Sequence, residues 1–422
     1  MGGRGNHREG SPGTPTEPAV AYWPVFAVLP VLVVAQLKAA GLVALGGFDT
    51  TLLSFGFLLL ATFITFLGTL RYPLHLMLPF ILFAVVVLVG ISRSSPGEYQ
   101  ARKADEFLVT AVIVACLPVL LRSRRDLRGL LAVWFWGGVL VAALVLVVGG
   151  SASLWGRAGI GGATLGPAYL SAAGLVAGSA GLGERLLRPV VAIPGIAVCG
   201  VAVITIGSRG PMVGAAAALL VWVLLRGVLR ARSVAVLVIL CVVAYIGVQQ
   251  ASDVALSRLD FSDSAREALI GMARTAFVNS PVLGMGWGDF STISGLANIQ
   301  KYPHNMFWET ASELGLLGIV CILGLLVVAA VAVWRRRALP EVRAIAAVAV
   351  LMLVGQQFST DLTNRVFWIA IIPCLLLPGM APAGRRDRPR ADRSADQGAV
   401  PAVPALAGAR AAAHRQPSQD TP

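Results

Sequence analysis

The sequence predicts an all-α, polytopic integral membrane protein with about twelve transmembrane helices, and three observations carry that expectation. The chain has 422 residues of which 57% are hydrophobic, and its mean hydropathy is +0.78. Apolar runs recur from Tyr22 to Leu377 with short polar breaks between them. An α-helix needs about 20 such residues to cross a hydrocarbon core, and no ordinary water-soluble domain has this composition. Arginines, finally, gather at alternate breaks, as the excess of cations in cytoplasmic loops requires.

In chain order the spans fall near 22–45, 51–70, 73–91, 107–121, 129–149, 167–182, 189–206, 211–229, 233–250, 305–334, 342–357 and 363–377. Several are short, which leaves tilted or re-entrant segments open. The leader over 1–20 is rich in Gly, Pro and Thr. The run behind it is too long for the core of a cleavable signal, so it is expected to remain as the first span. The Pro, Ala and Arg-rich tail over 381–422 has no apolar periodicity and is expected to be disordered. Residues 21–380 then form one transmembrane domain, with 251–304 as its large polar loop.

With both termini in the cytoplasm, four basic clusters fall on the cytoplasmic side. They are Arg122 to Arg128, Arg185 with Arg188, Arg226 to Arg232, and Arg335 to Arg343. The net charge of +13 is thereby explained by topology, with membrane lipids as partners, and no folded basic domain is left to bind nucleic acid. Five cysteines lie inside apolar runs without CxxC spacing, so neither a disulfide framework nor a metal site is expected.

The same orientation sends 92–106, 150–166, 207–210, 251–304 and 356–365 outward. Arginines there run against the topological bias and need a reason: snorkelling, a salt bridge or a ligand. Arg209 stands in Ser208–Arg209–Gly210–Pro211, with Pro211 suited to a first helical turn, and a helix N-terminus beside a guanidinium attracts phosphate. Residues 262–279 read as a surface amphipathic helix with Ser264 and Glu267 as a capping box. Its apolar face is Ala265, Leu269, Met272, Ala276 and Phe277, and Arg266 lies in its first turn. In SPVLGMGWGDF the alternate glycines at 284, 286 and 288 permit a close backbone, weak evidence for phosphate binding by themselves. HNMFWETASELGLLG then opens a long span with His304 at its mouth. A histidine there can hydrogen-bond a loop carbonyl, or act as a base. Glu309 follows at helical spacing, where a carboxylate can orient the imidazole, and Asp361 with Arg365 can pair in the last outward loop.

Taken in order, SRG before a span, Arg266 leading into SPVLGMGWGDF, and HN opening another span resemble the O-antigen ligase and O-antigen polymerase superfamily. A further element, WGRAGIGGATLGPAYLS, contributes Arg157, although Gly166–Pro167 stands where the family often shows Asn–Pro. The resemblance implies a metal-independent glycosyltransferase without a cofactor. It would move an oligosaccharide from a polyprenyl-diphosphate donor to a glycan, lipid or protein acceptor at the outer face of the cytoplasmic membrane. Carried over by motif, Arg209 and Arg266 hold the diphosphate and His304 activates the acceptor hydroxyl, with Arg157, Arg365 and Glu309 as secondary candidates. A twelve-span transporter of an anionic solute is the alternative. It predicts similar halves and midplane polar groups, whereas here the polar residues concentrate on one side.

Overall fold

In the computed structural model the described residues are 23–39, 44–45, 48–68, 72–149, 165–227, 253–294, 302–358 and 361–380. They are helical apart from connecting turns and a two-residue antiparallel pair, Ala44–Leu45 with Phe48–Asp49. The helices in order are α1 (Trp23–Phe26), α2 (Val28–Ala39), α3 (Thr50–Leu67), α4 (Leu74–Arg93), α5 (Glu98–Leu120), α6 (Arg124–Gly149), α7 (Leu165–Gly183), α8 (Pro189–Ile206) and α9 (Arg209–Leu225). They continue with α10 (Asp253–Asn279), α11 (Phe290–Ile293), α12 (Met306–Arg336), α13 (Pro340–Gly355) and α14 (Arg365–Leu376).

Among the described residues six helices are long and apolar enough to cross a membrane: α3, α4, α6, α7, α8 and α12. Three more, over Pro24–Val34, Arg209–Leu225 and Arg365–Gly379, are apolar but shorter. The expected span at 107–121 is the apolar half of α5, whose first half is polar, and 342–357 falls on the 16-residue α13. Span 233–250, the leader and the tail lie outside the described residues. The outward-facing side chains of α3, α4 and α8, such as Leu52, Leu78 and Ile204, are exposed, as expected of helices that meet lipid.

Small residues set the packing of the centre. A Cβ on Gly138 of α6 would meet the Gly174 backbone of α7 at 2.4 Å, so these helices touch main chain to main chain. Trp134 and Phe135 of α6 and Trp368 of α14 are fully buried.

The ends of the bundle differ. At one, Arg124 and Arg128 hold Glu341, while Arg343 and Arg226 hold Glu184, which also accepts from the Trp222 indole at 3.0 Å. Three of the four basic clusters thus meet at one end: the one before α6, Arg226 at the foot of α9, and the one before α13. The opposite end gathers the segments between α4 and α5, between α10 and α12, and between α13 and α14.

Candidate functional site

The opposite end is organised by a break in α12. Gly315 has φ 66° and ψ −157°, outside the helical region and open to glycine alone. The segment 281–286 enters the break and satisfies the interrupted backbone: Met285 N–H donates to Ser312 O (2.9 Å) and Gly286 N–H to Glu313 O (3.1 Å). In the other direction, Leu316 N–H donates to Pro281 O (2.8 Å) and Leu317 N–H to Val282 O (3.3 Å). A Cβ on Gly284 would lie 2.3 Å from the Glu313 carbonyl carbon. The alternate glycines, each at positive φ, therefore serve close contact with a helix and not a phosphate.

The rest of this loop clasps the α4–α5 turn. Arg93 donates to Leu283 O and Gly284 O, Trp287 N–H donates to Gly90 O, and the Asp289 carboxylate accepts from Ser95 N–H and Gln100 Nε2. Beneath it lies Lys103, fully buried. Its Nζ stands 2.7 Å from Glu309 Oε1 and 2.7 Å from Glu313 Oε2, with the Trp287 ring 4.6 Å away. Glu313 also accepts from the Gly288 backbone. The ammonium is a compact point charge with three donors, suited to two converging carboxylates. Glu309 Oε1 accepts as well from Leu362 N–H (3.4 Å), whereas its buried Oε2 has no partner among the described residues.

His304 stands just before α12, whose cap is Asn305: its side-chain oxygen accepts from Phe307 and Trp308 N–H, both at 3.1 Å. His304 itself has φ 53°, a left-handed conformation that costs a non-glycine residue of order 1 kcal/mol and persists only where surroundings enforce it. Its ring packs on Tyr302 at 4.4 Å, and its buried Nδ1 has no partner among the described residues. Burial, and then the nearby positive charge of Arg266, push its pKa down to about 4, while Asp361 pulls the other way. The imidazole is neutral at ordinary pH, as a proton acceptor must be.

Several expected roles change in this setting. Glu309 does not orient the imidazole, because Lys103 takes its carboxylate. Asp361 and Arg365 do not pair: Asp361 Oδ1 accepts from Thr363 N–H and Oγ1, and the carboxylate that Arg365 senses is Glu106. Helix α10 begins at Asp253, so Ser264 is not its cap and Arg266 lies well inside it, away from the positive end of the dipole. The apolar face of α10 is covered by protein, with Leu269, Ala273 and Phe290 buried against Met272 and Trp308. Ser208 sits at the cap position of α9 without a side-chain cap bond, and Arg209 opens that helix exposed. A Cβ on the next residue, Gly210, would meet the Tyr169 hydroxyl at 2.3 Å, which places the start of α9 against α7. Arg157 lies outside the described residues.

Arg266, His304, Tyr302 and Asp361 are thus brought together from three segments, and Arg209 belongs to an element that abuts the same end. Lys103 was missed by sequence reasoning. Its signal was scarcity: it is one of three lysines in a chain whose other cations are arginines. Among the described residues no group of three His, Cys, Asp or Glu stands close enough to hold a metal. No curated protein matches the chain. A family model described as O-antigen ligase matches residues 194–323, a segment that contains Arg209, Arg266, His304 and Glu309, and this match supports the chain's place in the O-antigen ligase superfamily.

Proposed function

We propose that the protein transfers or polymerises an oligosaccharide from a polyprenyl-diphosphate carrier onto an acceptor hydroxyl, at the outer face of the cytoplasmic membrane. The observation that carries this reading is the neutral His304 held within electrostatic reach of Arg266, at the end of the bundle away from the arginine-clamped carboxylates. The acceptor oxygen attacks the anomeric carbon of the donor sugar, and its proton passes to His304. The bond to the diphosphate breaks with its electron pair on the departing oxygen. Arg266 and Arg209 meet that charge with paired hydrogen bonds. An anionic donor beside Arg266 also removes one cause of the low His304 pKa, so substrate binding strengthens the base when it is needed.

The reading is tested by transfer from a synthetic polyprenyl-diphosphate glycan in proteoliposomes. Arg209→Ala and Arg266→Ala are expected to abolish transfer in inserted protein. His304→Ala should slow it by at least about 100-fold, the low end for a lost general base. A chelator should change nothing. Full transfer by both arginine variants sinks the assignment, and protection of cysteines placed in 266–290 from an impermeant reagent in intact cells reverses the sidedness.

A further inference from the structure

The outer end contains a cavity of about 230 Å³ between α7, α13 and the turn before α14. Tyr169, Met352 and Val366 form its buried floor, and Tyr302, Asp361 and Asn364 its half-exposed rim. It shares a wall with the site above, because Tyr302 lines it and packs on His304.

From this lining we infer that the cavity seats one uncharged or amino-substituted sugar ring of the acceptor, and that Asp361 is its specificity-determining residue. The inference rests on the proposed transfer function for the word acceptor, and on the cavity alone for the word sugar. The volume lies below the roughly 300–1,000 Å³ of pockets that enclose drug-sized ligands, so one ring fits and a polyprenyl chain does not. Aromatic and aliphatic floor groups suit the C–H faces of a pyranose. The rim supplies what hydroxyls need. Asn364 spends its side-chain oxygen on Val366 N–H and keeps its amide N–H groups, while Asp361 spends Oδ1 on Thr363 and keeps Oδ2, which has no partner among the described residues.

Charge decides which ring enters. Among the described residues Asp361 is the one charged side chain in the lining, and a second anion beside it is repelled. That excludes a sugar carrying a carboxylate, and it excludes the donor's first sugar, which is bonded directly to diphosphate. The diphosphate belongs with Arg266, beyond His304. A ring in the cavity then presents a hydroxyl from the Tyr302 side toward the imidazole.

Saturation-transfer NMR on the purified full-length protein, with methyl glucoside, methyl glucosaminide and methyl glucuronide as probes, tests this. The glucuronide is expected to bind at least about 10-fold more weakly than the other two, by the repulsion argument. Asp361→Asn keeps an oxygen for Thr363 and should bring the three within about 2-fold of one another. Val366→Phe, which fills the floor, should abolish binding of all three. Equal binding of all three probes by the wild type overturns the proposal, as does discrimination that survives in Asp361→Asn. Should that variant not fold, raised salt applied to the wild type must narrow the glucuronide gap. Failure of both the glucoside and the glucosaminide to bind also overturns it. A short prenyl diphosphate without sugar should leave methyl glucoside bound; displacement by a prenyl-diphosphate sugar, but not by the sugar-free compound, assigns the ring to the donor and defeats the acceptor claim. Probe binding needs no turnover. Absence of transfer by the inserted wild-type protein, with intact sugar preference, would therefore refute the proposed function and leave the cavity standing.

Discussion

The two ends of the bundle solve the same problem, carboxylates on buried helix ends, in opposite ways. At the arginine-rich end two carboxylates each have two cations: Glu341 faces Arg124 and Arg128, and Glu184 faces Arg343 and Arg226. At the other end one lysine serves two carboxylates, and among the described residues Glu309 Oε2 and His304 Nδ1 are buried without partners and Arg209 and Arg266 enter no ion pair. A saturated end holds helices together. An end with a cation deficit inside and spare cations outside has room in its electrostatics for an anionic substrate.

The largest expected difference between the ends is in stability. Lys103→Met leaves two fully buried carboxylates uncompensated and should cost about 3–5 kcal/mol, read as a drop in the unfolding midpoint in detergent. Arg128→Met removes a side chain that is 48% exposed and leaves Glu341 bonded to Arg124, so about 0.5 kcal/mol is expected. Comparable losses from the two variants would erase the contrast. Combining Lys103→Met with Glu309→Gln and Glu313→Gln should recover much of the loss, since an uncharged set no longer needs the ammonium.

A second contrast separates strain from stability. His304 adopts a left-handed backbone that glycine adopts freely, so His304→Gly is expected to hold or raise the unfolding midpoint while transfer falls at least about 100-fold. If stability collapsed with activity, His304 would be a packing residue, and its position beside Tyr302 would have a structural explanation alone.

Much of this was legible before any coordinates. Apolar runs and charge alternation gave the all-α membrane class, six of the expected spans as described helices long and apolar enough to cross, and, for Arg124, Arg226 and Arg343, the common end on which the clusters meet. His304 standing against the start of the apolar run in HNMFWETASELGLLG located the mouth of α12. What could not be read was pairing across distance. Lys103 and Glu313 are 210 residues apart, and nothing local in Ala101–Arg102–Lys103 distinguishes a buried ammonium from a solvated one. Gly284 reads as permissive alone; only beside Gly315 does it become one half of a backbone contact. The capping box at Ser264 does not start helix α10, because the helix already runs through it from Asp253.

The smallest effects concern the imidazole's surroundings and are the most specific to the unsaturated end. In wild type, burial and Arg266 lower the His304 pKa to about 4 and Asp361 opposes them. Removing a cation that disfavours the imidazolium must raise the pKa, so Arg266→Ala moves it up from about 4; removing an anion that favours it must lower the pKa, so Asp361→Asn moves it down. Histidine-labelled NMR titration of the free protein reads both without any need for turnover, with His304→Asn to assign the resonance. Because desolvation is the larger cause, neither variant should bring the group back to its ordinary value near 6.5. Shifts in the predicted opposite directions would place both charges around one imidazole. If neither variant moved the resonance, Arg266 and Asp361 would lie outside its field, and the end that holds His304 would lose the shared electrostatics that set it apart from the other.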